Sequence, residues 1–197
     1  PKTSRRNMAG LLELLSTVSE IWKSDRKRLL NMSDQILAVL RRTPDASSPA
    51  DPEALARRGY EELRAAFDKA YGGFGRAPKF PAAHNLLFLM RYRAWADEPQ
   101  ALAMAEKTLS SMARGGIHDQ LGGGFSRYST DQMWLVPHFE KMLYDNALLT
   151  LAYLEGYRLT GNRFYQRTAR QILDYVRREL TGPEGGFYCG QDADSQG

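Results

Sequence analysis

Cysteine is almost absent from this 197-residue sequence, and histidine is scarce. The single cysteine, Cys189, excludes an internal disulfide framework and a Cys-x-x-Cys redox pair within the chain. With only three histidines, His84, His118 and His138, the sequence also argues against a structural zinc site. We therefore expect no bound metal, and nothing in the sequence indicates a particular cofactor.

Long apolar runs and a strong charge bias are also missing. No apolar stretch approaches the ~20 residues that span a bilayer, and no secretory signal peptide is visible. We therefore expect a cytoplasmic protein with no membrane partner. The net charge is only +4, and no continuous basic stripe is interleaved with aromatic residues. This pattern does not favour a nucleic-acid partner.

The composition that is present is typical of a globular domain, with 43% hydrophobic and 25% charged residues. We predict a single helical domain over residues 1–197. Its first part, 1–50, contains two leading helices and a linker, with a polar linker over 43–51. Residues 51–197 contain a helical repeat.

The repeat alternates two kinds of helix. Amphipathic helices, expected on the outside, are predicted over 52–70, 99–113 and 162–180. Helices that are apolar over most of their circumference, expected to be buried, are predicted over 82–97 and around 147–154. Gly-Gly-Phe triplets lie in the loops at 72–74, 123–125 and 185–187. This order predicts an all-α fold, a two-layered toroid of helical hairpins, with short β-hairpins in the Gly-Gly-Phe loops.

The first two loops carry candidate site residues. The first presents Arg76, Lys79 and then His84, although a capped turn is the alternative interpretation. In the second, Pro137 is suited to the first turn of a helix, so His138, Lys141 and Asp145 are predicted to line one helix face. A histidine and carboxylates at an apolar helix entrance can perform acid–base chemistry. A buried salt-bridge network that fixes the loop is the alternative.

The third loop carries two acids, Asp192 and Asp194. In an extended chain they point to the same side, with carboxylates ~6–7 Å apart. Glycoside hydrolases use pairs of acids at such distances. A cation site and an Asx turn are the alternatives, and Cys189 is interpreted as a small packed residue.

The loop motifs together resemble the YyaL/spermatogenesis-associated protein 20 family. The resemblance rests on Gly-Gly-Phe-Gly-x-Ala-Pro-Lys-Phe-Pro (72–81), on residues 115–129 and 134–147, and on the Gln-Asp-Ala-Asp motif within 185–195. It implies a thioredoxin-like domain, which has no counterpart here, followed by a six-hairpin-glycosidase-type (α/α)6 toroid, of which this chain is the first part. We therefore expect an exposed apolar inner face that associates with itself or with the missing thioredoxin-like and C-terminal toroid segments.

Two functions follow as hypotheses. In the first, the toroid acts on a sugar-like ligand as an epimerase, isomerase or glycosidase-type enzyme. The predicted catalytic residues are then His138, His118, Asp192 and Asp194. The predicted substrate-binding residues are Phe74, Arg76, Lys79, Arg127, Tyr128, Trp134, Glu140 and Asp145. In the second, the domain is a non-catalytic binding or scaffold module that partners a thioredoxin-like domain.

Overall fold

The computed structural model describes residues 2–4, 8–41 and 51–194. The linker predicted over 43–51 lies outside these residues except for Asp51. Contacts divide the chain into two compact units, Pro1–Ala50 and Asp51–Gly197. Each unit is described by itself.

The first unit is a helical hairpin. Helix α1 spans Leu11–Ser24 and helix α2 spans Arg26–Leu40. Asp25 separates the two helices, and its side chain caps α2 by accepting a hydrogen bond from the Arg28 N–H. Neither helix contains a buried residue, so the apolar side chains of the hairpin remain open to solvent.

The second unit contains five helices in its described residues. They are α3 (Pro52–Ala66), α4 (Ala83–Ala96), α5 (Pro99–Arg114), α6 (Leu143–Thr160) and α7 (Arg163–Glu179). Local sequence explains several of their ends. The Asp51 side chain caps α3 ahead of Pro52, and Gly161 ends α6 in the left-handed conformation.

The helices pack as layered pairs. Helix α4 contacts α5 and α6, and α6 contacts α7. Leu89, Leu109, Leu149, Tyr153 and Ile172 are among the fully buried members of the core between them. The predicted all-α class is therefore confirmed.

Helix α6 is buried on one side only. Leu149 and Tyr153 lie in the core, whereas Leu148 and Leu151 are 39% and 54% exposed. The sequence predicted a buried helix and, for a partial toroid, an exposed apolar inner face. In the described residues one side of α6 is buried and no segment packs on the other. Among the described residues, no helix is both long enough and apolar enough to cross a membrane.

Short strands form in the loops, as predicted. Strand β1 (Tyr128–Ser129) pairs with β2 (Pro137–His138), and β3 (Lys141–Met142) pairs with β4 (Gly190–Gln191); both pairs are antiparallel. An isolated antiparallel bridge joins Lys79 to Ser129.

The strands correct one sequence prediction. Pro137 belongs to β2 rather than to a helix, and α6 begins only at Leu143. His138, Lys141 and Asp145 therefore do not share a helix face. The extended segment is held by pairing to β1 at one end and to β4 at the other, and these tertiary hydrogen bonds outweigh the local preference of proline for a first helical turn.

Candidate active site

Two equivalent ion pairs hold the first two Gly-Gly-Phe loops. In the first loop, Asp68 accepts hydrogen bonds from the N–H groups of Ala70 and Tyr71. The ammonium of Lys79 lies 2.5 Å from Asp68 Oδ2 and 2.7 Å from the Gly72 carbonyl oxygen. This ion pair therefore ties the loop to the strand that follows it.

The second loop repeats the arrangement. Asp119 accepts from the N–H groups of Leu121 and Gly122. The Lys141 ammonium lies 2.7 Å from Asp119 Oδ2 and 3.0 Å from the Gly123 carbonyl oxygen. Both aspartates stand four residues before the glycine pair, so an Asp-x-x-x-Gly-Gly-Phe motif was readable in the sequence. The Gly-Gly-Phe repeat was recognised there, but its aspartate was not.

The two carboxyl groups stay ionised over a wide pH range. Burial raises the pKa of Asp68, but hydrogen bonds from Lys79, Tyr71, Gln132 and Ala70 outweigh burial and lower this pKa to about 2. Burial likewise raises the pKa of Asp119, and Lys141 together with two backbone N–H groups lowers it to about 2. Each ion pair is therefore a fixed part of the loop.

Two predicted substrate contacts lie inside this framework. The side chain of Lys79 has no exposed surface, and Trp134 is fully buried. Lys79 lies 5.2 Å above the Trp134 ring, whose Nε1–H donates to the Tyr71 carbonyl oxygen. Their positions do not support the predicted roles of ligand anchor and stacking surface, because neither side chain can reach a ligand without unfolding the loop.

A polar cluster forms beside β1 and β2. The Arg127 guanidinium lies 2.8 Å from Glu140 Oε2, and the Arg127 N–H donates to the Glu140 carbonyl oxygen at 2.7 Å. His138 Nε2 lies 4.0 Å from the same Glu140 oxygen. The Tyr128 and His138 rings pack with centroids 4.8 Å apart. Four predicted site residues therefore meet here.

Asp145 joins this cluster from the first turn of α6. Burial raises the pKa of its carboxyl group to about 6; the positive charge of Arg127 lowers it and the negative charge of Glu140 raises it further. The Asp145 Oδ2 atom is buried and has no hydrogen-bond partner among the residues that the structure describes. A carboxyl group with a free oxygen and a pKa close to neutral can both release and accept a proton.

Asp192 and Asp194 lie at a different place. They line a cleft of about 440 Å³ with Asp119, Phe139 and Lys141. Neighbouring residues of the segment 138–141 contact different partners: Glu140 pairs with Arg127, whereas Lys141 pairs with Asp119. His138 does not line the cleft that contains Asp192 and Asp194.

The two acids follow strand β4 directly. Strand β4 ends at Gln191, and the Asp194 N–H donates to Asp192 Oδ1 at 3.3 Å. This bond is the Asx turn that was the alternative interpretation. Among the described residues, no three histidine, cysteine or acidic side chains converge into a metal site.

His118 is a core residue. It is 3% exposed, its ring stacks on Phe125 at 4.6 Å, and its Nδ1 lies 3.2 Å from the Ala113 carbonyl oxygen. Burial lowers the pKa of this histidine, which keeps the ring neutral. The position of His118 therefore favours a packing role over the predicted catalytic one.

The remaining two candidates belong to the first loop. Phe74 packs on Phe67 with ring centroids 5.9 Å apart, and Arg76 is exposed. Neither makes a described contact with the cluster around Arg127.

Comparison with solved structures defines the class of fold. Cellobiose 2-epimerase from Bacillus thermoamylovorans superposes with a TM-score of 0.59 at 13% identity, covering 72% of this chain and 42% of that chain. A family 76 α-mannanase of Bacteroides thetaiotaomicron superposes with a TM-score of 0.58 at 16% identity, covering 72% and 42%. The helical unit is therefore part of an (α/α)6 toroid of the six-hairpin-glycosidase type, as predicted.

Sequence comparison then identifies the family. Human spermatogenesis-associated protein 20 is 43% identical over 195 residues, which cover 94% of this chain and 25% of that protein. No protein-family model matches the chain. The chain belongs to the spermatogenesis-associated protein 20 family, as its loop motifs predicted, and spans about a quarter of the length of the curated relatives it matches.

Proposed function

We propose that this segment contributes the acid–base residues of a sugar-converting site of the epimerase or isomerase type. The observation that carries the proposal is the half-buried Asp145 carboxyl group, with its free oxygen and its pKa of about 6, beside the Arg127–Glu140 pair and the His138 ring. The solved structures that share the fold include sugar epimerases and a D-mannose isomerase, which supports this choice of reaction.

The proposed chemistry uses two kinds of group. Asp145 and His138 exchange a proton with the carbon next to the sugar carbonyl, one removing it and one returning a proton to the product. The Arg127 guanidinium stabilises the negative oxygen that develops on the carbonyl, with Glu140 holding it in place. Such stabilisation is strongest in a site from which water is excluded.

A glycosidase-type reaction is the second candidate. It is favoured by Asp192 and Asp194, which line the 440 Å³ cleft, and by the fold shared with the α-mannanase. In that reaction one carboxyl group protonates the leaving oxygen and the other acts on the sugar carbon or on water.

We also propose that the site is completed by other parts of the full-length protein. The exposed face of α6, with Leu148 and Leu151, is apolar and needs a covering partner. The remaining toroid helices would supply it. A thioredoxin-like domain, implied by the family resemblance, is the proposed neighbour in the same polypeptide.

The test is an NMR assay of the full-length protein in D₂O with cellobiose, D-mannose and a mannan oligosaccharide. Epimerase or isomerase chemistry introduces solvent deuterium at the carbon that exchanges its proton, whereas hydrolysis releases reducing ends without such exchange. Asp145→Asn is expected to lower deuterium incorporation by ~10²–10⁴-fold, and Asp192→Asn to leave it within a few-fold.

Three results would contradict the proposal. Full activity of Asp145→Asn would show that the Asp145 carboxyl group takes no part in the reaction. Hydrolysis that is lost in Asp192→Asn would select the glycosidase-type alternative. No conversion of any of the three sugars would favour a non-catalytic binding or scaffold domain.

A further inference from the structure

Strands β1 and β2, together with the bridge between Lys79 and Ser129, place three aromatic rings in one row. Lys79 and Ser129 exchange two backbone hydrogen bonds of 2.8 Å, which sets Phe80 opposite Tyr128 in an antiparallel pair. Strands β1 and β2 set Tyr128 opposite His138. The ring centroids are 5.0 Å apart for Phe80 and Tyr128, and 4.8 Å apart for Tyr128 and His138.

The row lies on the open side of these strands. Successive residues of a strand point to opposite faces, and the neighbours Lys79 and Ser129 are 1% and 0% exposed. Phe80, in contrast, is 52% exposed, and the His138 side chain is 37% exposed. The face at Lys79 and Ser129 is therefore buried and polar, whereas Phe80 and His138 lie on the face that is open to solvent.

The strand beneath Phe80 is fixed before any ligand arrives. Lys79 is held by Asp68 and by the Gly72 carbonyl oxygen, and Gln132 donates to the same aspartate at 2.6 Å. A preorganised surface loses little conformational entropy on binding. Burial of the exposed Phe80 ring then contributes directly to affinity.

The charges beside the row are balanced. The Arg127 guanidinium is neutralised by Glu140 at 2.8 Å, and Asp145 adds a further acid. A phosphate dianion placed here would meet two carboxyl groups against one guanidinium, which is unfavourable. Hydroxyl groups suit the site better, because they can donate to a carboxylate and accept from a guanidinium.

We propose that Phe80 and Tyr128, next to His138, form the platform on which the ring of an uncharged pyranose stacks, with its hydroxyl groups directed to Arg127 and Glu140. The negative face of an aromatic ring attracts the C–H bonds of a sugar ring. This inference rests on the proposed function and names both its substrate class and a binding residue, Phe80, that the sequence analysis did not select.

The experiment measures binding by saturation-transfer NMR and titration calorimetry with the full-length protein. The probes are D-glucose, D-mannose and cellobiose as uncharged sugars, and glucose 6-phosphate and mannose 6-phosphate as charged ones. Phe80→Ala is expected to weaken binding of the uncharged sugars about tenfold, and Phe80→Trp to restore it. Phe187→Ala is the matched control, because Phe187 is 63% exposed and lies in the third Gly-Gly-Phe loop.

The outcomes separate this inference from the proposed function. If the wild-type protein binds an uncharged sugar and Phe80→Ala binds it equally well, the platform is wrong and the proposed function stands. If the phosphorylated sugars bind more tightly, the substrate class is wrong. If no probe binds, the proposed function fails and the platform fails with it. Circular dichroism of Phe80→Ala distinguishes lost binding from lost folding.

Discussion

At the scale of single residues, the proposed chemistry depends on Asp145. Its carboxyl group is half-buried, keeps one oxygen without a partner and has a pKa raised to about 6, first by burial. The folded protein therefore holds the Asp145 proton at pH values where the unfolded chain has released it. Such a group costs stability at neutral pH, which is typical of residues kept for function rather than for folding.

This arrangement predicts a specific pH dependence. Because the folded pKa of about 6 is above the value of ~3.9 for an unfolded aspartate, the free energy of unfolding should fall as pH rises from 4 to 6 and then level off. Asp145→Asn should remove this decline, so that the variant equals the wild type near pH 4 and exceeds it by up to about 3 kcal/mol at pH 8. Urea unfolding across this pH range measures the difference, and parallel curves for the two proteins would refute it.

Sequence reasoning identified several residues that do cluster, but it could not tell exposed candidates from buried ones. Arg127, Tyr128, His138, Glu140 and Asp145 were all singled out, and the structure brings them together. Lys79, Trp134 and His118 were selected by the same logic and are buried. A polar or aromatic residue in a loop motif looks the same in sequence whether it faces a ligand or braces the loop, so only burial separates these cases.

At the scale of elements, the first two Gly-Gly-Phe loops hold the extended segments of the candidate site in place. Each of the first two uses an aspartate that caps its own turn and binds a lysine from a later strand. In the third loop Gly182 takes the place of the aspartate, and its N–H donates to the Gly186 carbonyl oxygen. The first two loops therefore depend on a charged side chain that the third loop lacks.

The Asp68–Lys79 ion pair of the first loop predicts that a conservative substitution causes a large loss of stability. Asp68→Asn should lower the free energy of unfolding by about 3–5 kcal/mol, because it leaves the fully buried Lys79 ammonium without a negative partner. Glu62→Gln is the control, since the Arg58–Glu62 pair is 77% and 66% exposed and should change stability by less than ~1 kcal/mol. Chemical denaturation of both variants tests this contrast. A similar small loss in both would show that Lys79 finds another partner.

The helices were predictable from sequence, and so was the presence of short strands in the loops, but the pairing of those strands was not. Periodic apolar positions define α3, α5 and α7 within a few residues of their observed ends. The segment before α6 was misassigned as its first turn because Pro137 and the apolar residues after it fit a helix locally. Two-residue strands are set by partners distant in sequence, which a local pattern cannot show.

At the scale of the whole molecule, the second unit is an incomplete ring with one open apolar face. The (α/α)6 neighbours are more than twice as long as the part they share with this chain. Leu148, Leu151 and Tyr144 along α6 are exposed and lie on the same helix as Asp145. The covering segment proposed above would therefore lie on the helix that carries Asp145, so binding is best measured in the full-length protein.

The most direct test of the central claim is a thermal-shift titration of the full-length protein with uncharged mono- and disaccharides, repeated with His138→Ala. A sugar at 100 times its dissociation constant should stabilise the folded protein by ~2.7 kcal/mol, and the shift should disappear in the variant. No shift with any sugar, or an equal shift in the wild type and in His138→Ala, would contradict a sugar site at the loop end of α6.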